Sequence, residues 1–488
     1  MKSSPSINIK LILGLSLISQ KEFREFIFFS TSRYFSGQRN YDSILKLLKS
    51  LHKSKFRDHD NKSILDHLMS ELKLNKKTLL SRMSEMYKIF EMFIVIRELK
   101  YKPNERNNIL MSYYIGKNSG KLFNYVYNSS KVTQKKEKIS SEKLKNEFIM
   151  YDLSSTSYFK LGKKKLFNEH FSLRSEFQIY AFITELFKSC IEILQQKFIE
   201  ANRDIDLPEL ILNEMSLNKI LDSIKRIDQN YYNYIFIIYK MYLSFKDFSE
   251  IDHFKEALKI QKKMKSSLSA DENQYVYILF ITYCINQTHF NKPEFYKYLF
   301  LIIKEKLNDG YYSELTENNF PINNFRDYVF IGLRVGESQW VRNFIKDYSS
   351  LLPSLYRKDD VLIAESLIAL NEHKFEEALT FLNKVRKKNY LHYTDSSFYR
   401  LRAFYELRRF DDALNEIDKI RKYFNSNKEI PLIFLQKYSP YLEDINVLIK
   451  FSEGKIDKND FCLYFERLEK GTSINWVSKE IKKILNKF

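Results

Sequence analysis

Only 3 cysteines, 10 glycines and 8 prolines are spread through 488 residues, and each scarcity removes a class of structure. Cys190, Cys284 and Cys462 are odd in number, far apart and without a C-x-x-C pair. That pattern argues against a disulfide framework and against a zinc site of linked cysteines, and it suits a reducing, cytoplasmic setting. So few turn-formers leave little room for tight hairpins, and long helices are expected instead. Sustained period-two alternation is missing too, so strands are few or absent. No apolar run is long enough to cross a bilayer. The most apolar, "YYNYIFIIYKMYLSF" from Tyr231 to Phe245, carries Asn233 and Lys240 and reads as a buried helix. The N-terminal apolar run, Leu11 to Ile18, is short and leads straight into Gln20, Lys21 and Glu22. No small-x-small cleavage pattern follows it, so it is not read as a secretion signal.

Catalytic and cofactor signatures are equally scarce. There is no H-E-x-x-H, no G-x-S-x-G and no Gly-rich dinucleotide fingerprint. "GKNSGKL" (Gly116 to Leu122) has its glycines one residue too close for a phosphate-binding loop, and Leu122 stands where a hydroxyl must meet magnesium. It reads as a polar turn. Asp58, His59 and Asp60 form a local "DHD" cluster, but adjacent residues rarely face one ion, so a solvated loop is expected. No cofactor, metal or enzymatic activity is expected from these residues.

What the chain does have is apolar and aromatic mass, with 40 Phe and 34 Tyr, and a net charge of +19. The charge is uneven. Residues 1–200 hold 36 Lys/Arg against 20 Asp/Glu, and residues 201–488 hold the remaining 44 against 41. The densest basic pieces are "KVTQKKEKISSEKLK" and "KLGKKK", the latter with Lys163, Lys164 and Lys165. A further basic set, Lys76, Lys77 and Arg82, opens the second helix of "SILDHLMSELKLNKKTLLSRMSEM", with Asn75 as its cap and Thr78 and Ser81 beside them. Such a segment suits a groove-reading helix. Its apolar face (Leu79, Leu80, Met83, Met86, Tyr87, Phe90, Phe93, Ile94) is broad enough to suit an ordinary antiparallel helix pair instead. Nucleic-acid binding through residues 1–200 is therefore the alternative functional reading.

A repeat dominates the C-terminal part. "ALNEHKFEEAL" (Ala369 to Leu379) returns 35 residues later as "FYELRRFDDAL" (Phe404 to Leu414). Phe375 falls on Phe410, Glu376 and Glu377 on Asp411 and Asp412, Ala378 on Ala413. The aromatic starts a helix, and the acids complement the positive end of its dipole. The alanine is small because another helix crosses close by. Leu379, Leu382 and Val385, like Leu414, Ile417 and Ile420, make the buried stripe. In the same register Trp340 falls on Phe375 in "GESQWVRNFIKDYSSLLP", with Asn343 in place of the alanine. Phe254 and Ala257 have matching spacing in "HFKEALKIQKKM".

These residues resemble the tetratricopeptide repeat, whose unit is about 34 residues. The match is best over Leu401 to Ile420 and departs at Leu401, where the family has a small residue. The order of "KEFREFIFF", "GLRVGESQWVRNFIKDY" and the terminal repeats is also similar to bacterial helical-repeat proteins of unassigned function, a resemblance that imports no activity. The expected fold is all-α: an N-terminal helical bundle followed by an α-solenoid of antiparallel helix pairs. The expected divisions are a tail at 1–18, a basic helical region at 19–150, an array without a repeat signature at 151–324, and repeats with capping helices at 325–488. The resemblance implies a scaffold for a protein or peptide partner, bound along first-helix side chains. Arg402, Tyr405 and Glu406 are the candidates in the best repeat, and Asn371 in the unit before it.

Overall fold

Helix boundaries follow from local hydrogen-bond chemistry. Asn75 Oδ1 accepts the Thr78 N–H at 2.8 Å, as its sequence position anticipates. Ser269 Oγ accepts the Glu272 N–H at 3.1 Å, and Asp228 Oδ1 accepts the N–H groups of Asn230 and Tyr231 at 2.8 and 3.0 Å. Ser19 and Glu22 form a reciprocal capping box. The computed structural model describes residues 9–37, 39–52, 56, 61–199, 207–290, 292–313, 319–386, 390–428, 430–466 and 476–486. Among them stand 25 α-helices and no strand; the one isolated β-bridge joins Ile139 to Leu268. The chain is all-α, and consecutive helices pack in pairs. No described helix is long and apolar enough to cross a membrane. The DHD cluster lies outside the described residues.

The contacts divide into two units. One takes Met1–Glu137 and Lys145–Gln178, the other Lys138–Leu144 and Ile179–Phe488. In the first, the short N-terminal apolar run is a helix, Lys10–Leu17, ahead of the helix that Ser19 caps. Leu11, Ile12 and Leu15 are buried in it, which explains their hydrophobicity as core. This helix packs against Lys76–Tyr101. Gly14 permits the approach, since a Cβ there would lie 2.7 Å from the Phe90 ring. His52 stacks on Phe23 with 4.6 Å between centroids. Its Nε2 lies 2.9 Å and 3.1 Å from the carbonyl oxygens of Leu15 and Ile18, so it donates to the end of the first helix. Beyond Lys102 the unit continues in the helices Pro103–Gly116, Gly120–Lys136 and Ser141–Lys160.

In the second unit the apolar segment around Tyr231 lies in the helix Gln229–Lys246, with Tyr234, Ile235, Ile237, Ile238, Met241 and Phe245 buried. It packs on Ile251–Met264, where Phe254 and Ala257 are fully buried. Cys284 sits at 0% exposure in Ala270–His289, and burial pushes its thiol well above the usual range. Cys190 is buried as well, and Cys462 is half-buried. Further on, the first helices of successive pairs, Ile322–Arg334, Arg357–Asn371 and Tyr390–Glu406, pack on one another, and each also packs on its own second helix. Arg326 ties the three together. It reaches Asp360 at 2.7 Å and Asp395 at 3.2 Å.

The turn inside each of these pairs is the same object. Gly336, His373 and Arg408 all have positive φ (86°, 59° and 56°). The next N–H folds back onto the helix just ended: Glu337 to Gly332 O at 2.9 Å, Lys374 to Ala369 O at 2.8 Å, Arg409 to Phe404 O at 2.8 Å. This is a Schellman closure. It gives the 35-residue interval from His373 to Arg408, but 37 from Gly336 to His373. The register inferred from Trp340 is therefore displaced by two. The second helix starts at Ser338, not at Trp340, and the alanine position is held by Val341, fully buried, not by the exposed Asn343. Size is exchanged across the crossing: the first helix supplies Gly332 where the next pair has Ala369. A Cβ on Gly332 would lie 2.5 Å from Val341 Cγ2.

Substitution at this crossing should behave as a coupled pair. Gly332→Ala is expected to destabilise by about 1–3 kcal/mol through overpacking, read as a lower thermal midpoint. Gly332→Ala with Val341→Ala should recover most of that loss, because the Ala/Ala crossing of the next pair is recreated. Purely additive losses would refute the exchange. Ala378→Trp and Ala413→Trp, both at fully buried positions, should each lower the midpoint.

Candidate interaction face and basic cavity

The helix Tyr390–Glu406 places Leu401 and Ala403 in the core, so Arg402, Tyr405 and Glu406 emerge between them. They are half-buried, and a segment of the same chain covers them. The C-terminal helix Trp476–Leu485 buries Val477 and Ile481 in the core shared by Tyr390–Glu406, Phe410–Ser426 and Leu432–Ser452. Its Trp476 ring lies 5.5 Å from the Tyr405 ring, which also meets Phe410 at 6.1 Å. Ser452 Oγ donates to the Tyr405 hydroxyl at 3.3 Å. Among the described residues Arg402 reaches only the Leu370 carbonyl, at 3.5 Å, and its Nε is buried without a hydrogen-bond acceptor there. Asn371 remains exposed, with its Nδ2 3.4 Å from Ser338 Oγ.

The electrostatics of this face record the covering. Burial lowers the Arg402 pKa from its usual value. Burial also raises the Tyr405 phenol. The Glu406 carboxyl is held above the ordinary carboxylate range, first by burial and second by the Glu480 charge on the covering helix; Arg402, Lys483 and His373 pull the other way. Lys483 is itself paired with Glu480 at 3.0 Å. The segment against this face is an amphipathic helix of the chain itself, with an aromatic residue at its start and a mixed charged rim.

In the other unit, Lys77, Thr78, Ser81 and Arg82 lie on one side of the first two turns of Lys76–Tyr101. With Arg39, Asn40 and Tyr41 they line a cavity of about 520 Å³. Glu85 organises its wall: Arg39 pairs with the carboxylate, and the Tyr41 hydroxyl donates to it at 2.9 Å. Lys76 is exposed at the helix start and does not line the cavity. Lys163, Lys164 and Lys165 are exposed where the helix Lys164–Ile199 begins, and none lines it either. The Lys76–Tyr101 helix runs 26 residues with Leu79, Met83, Met86, Phe90 and Phe93 buried, packed as one member of a bundle. The glycine-containing "GKNSGKL" segment is the turn between Pro103–Gly116 and Gly120–Lys136, with Asn118 at φ 54°. Among the described residues no group of three or more His, Cys, Asp or Glu is placed to hold a metal ion.

Sequence reasoning missed Arg39, Asn40 and Tyr41, whose only signal was a polar break in "SGQRNYD". It also missed Trp476, whose contact with Tyr405 spans a long stretch of chain. No family model matches the chain, nor does any curated protein or solved structure. The likeness to tetratricopeptide repeats rests on the residues and on the helix pairing alone.

A carboxyl raised by burial gives a definite pH sign. Its contribution to docking is fully present below the unfolded value of about 4.3 and is lost as pH rises through the folded value. Trp476 emission, isolated in a Trp340→Phe background, should therefore shift to the blue as pH falls from neutrality towards the unfolded carboxyl value of about 4.3. Glu406→Gln should flatten that response. An unchanged response in Glu406→Gln would place its origin elsewhere.

Proposed function

We propose that this chain is a non-enzymatic scaffold that binds a protein segment on the first-helix face around Arg402, Tyr405 and Glu406. One observation carries the reading: the chain's own amphipathic helix, Trp476–Leu485, meets this face through Trp476 on Tyr405, while Val477 and Ile481 enter the adjoining core and the helix packs on Leu432–Ser452. A surface that holds one such helix has the chemistry to hold another of the same kind. The partner class that follows is an amphipathic helix with an aromatic anchor, recognised by apolar burial and a few charged contacts. Charges over residues 201–488 nearly balance, so affinity would come from shape and anchors more than from bulk attraction. Three widely separated cysteines without a C-x-x-C pair fit a reducing, cytoplasmic setting.

The test is binding in trans. In the full chain, Val477→Asp with Ile481→Asp should undock the C-terminal helix. A labelled peptide with the sequence of Trp476–Leu485 should then bind this variant and bind the parent protein about tenfold more weakly or less, because the parent site is occupied. Tyr405→Ala should remove the peptide's affinity. If the undocked variant keeps its helical circular dichroism and takes up no peptide, the covering helix is only a cap and the reading fails.

A further inference from the structure

Charge at the helix starts varies from helix to helix along this chain. In Phe375–Asn383 and Phe410–Ser426 the first turn carries Glu376 and Glu377, or Asp411 and Asp412, as the helix dipole favours. The helix Lys76–Tyr101 does the opposite: its first turn holds no acid, and Lys76, Lys77 and Arg82 crowd its opening turns. Cations there are repelled by the dipole and by one another. The helix Lys164–Ile199 opens on Lys164 and Lys165 in the same way, but at Lys76–Tyr101 the cations also line a cavity.

The cavity beside that helix start gives the task a chemistry. Arg39 comes from a separate segment to face Lys77 and Arg82, and Glu85 pins it in place. A second cavity, of about 430 Å³, shares Arg39, Asn40 and Tyr41 with the first and adds Arg33. Asp42 lines that second cavity, and Glu85 balances Arg39, so Arg33, Arg39, Lys77 and Arg82 leave the pair of cavities net positive. Tyr41 is the only aromatic residue of the first cavity, and no aliphatic side chain lines it. An apolar ligand is thereby disfavoured. The two cavities are not equivalent. In the second, the hydroxyls of Ser30, Thr31 and Ser36 already donate to carbonyls of their own turns. Its charge-assisted donors are Arg33 and Arg39. The first adds Thr78 and Ser81 to Lys77 and Arg82, so it is the tighter end.

We propose that these joined cavities bind a small anion carrying two or more linked phosphoryl groups. One phosphoryl group sits among Lys77, Thr78, Ser81 and Arg82, a second reaches Arg33, and Arg39 bridges them. Guanidinium groups donate in parallel pairs to phosphoryl oxygens, and a phosphoryl group has enough acceptor sites to use hydroxyls and cations at once. The bound anion also relieves the repulsion at the helix start, so binding and stability are linked.

The experiment uses the full chain and tripolyphosphate as the probe, by calorimetric titration and by thermal unfolding. Tripolyphosphate is expected to bind at one site per chain, about tenfold or more tighter than inorganic phosphate, and to raise the melting temperature. Lys77→Gln with Arg82→Gln should weaken it by about tenfold or more, while the ligand-free variant melts no lower than the parent because the repulsion is gone. Thr78→Val with Ser81→Ala, which leaves the charges alone, should weaken it by a smaller factor. Lys163→Gln, Lys164→Gln and Lys165→Gln together should leave it within about twofold, being exposed charges outside the cavity. Equal affinity for phosphate and tripolyphosphate would overturn the two-phosphoryl assignment. Equal weakening in the Lys163 to Lys165 variant would overturn the site. Tight binding of an oligonucleotide that tripolyphosphate does not displace would overturn the small-anion class.

Discussion

The left-handed residue that closes a helix pair is the constraint from which the repeat region follows. Once Gly336, His373 or Arg408 takes positive φ, the following N–H closes onto the helix just ended and the next helix must start within two residues. The crossing is then fixed, and Gly332 must meet Val341 wherever else the chain goes. Ala369 and Ala378 share one small cluster under the next turn, and Phe404 packs near Ala413 in the one after. In the first two crossings a small residue on one helix is matched to the size of its neighbour on the other, so the individual residues vary. A left-handed histidine or arginine costs about 1–2 kcal/mol relative to glycine. Around His373 the ring of Phe375 packs edge-on at 5.8 Å, which offsets part of that cost.

This explains which parts of the fold were legible. The Phe, acid, acid, Ala echo could be read because His373 and Arg408 stand in identical turns with nothing inserted between them. The unit before it could not be placed by its aromatic residue. Trp340 lies two residues into its helix and spends its ring on Phe300 and Phe344, at 5.0 and 5.2 Å, instead of marking the helix start. The small residue had moved to Gly332, on the other helix, where a search for alanine in one column does not find it. At the candidate sites, helical spacing made Arg402, Tyr405 and Glu406 readable as a group, and likewise Lys77, Thr78, Ser81 and Arg82. Their covering or completing partners, Trp476 and Arg39, come from other segments. Periodicity within a helix carries no information about them.

Burial and charge take different roles in the two units. In the repeat unit, ions are spent on registry. Arg326 holds three successive first helices through Asp360 and Asp395, and Arg400 and Glu416 form a buried pair at 2.6 Å. Pairs of this kind fix arrangement more than they add stability. In the N-terminal unit many of the excess cations are exposed, and the bundle coheres through aromatic packing such as Phe26 against Phe90 and Phe93.

The three thiols form an internal clock for breathing motions. Cys284 is sealed at the centre of its helix, and its raised ionisation leaves almost no thiolate to react. Cys190 is sealed also, while Cys462 near the C-terminal end is only half-covered. Alkylation of the first two must wait for the surrounding helices to part, so their reaction rates report how often each stretch opens. Cys462 reacts ahead of them and serves as the reference. A molecule held together by stacked neighbours thus carries its own gauges of where the stack comes undone.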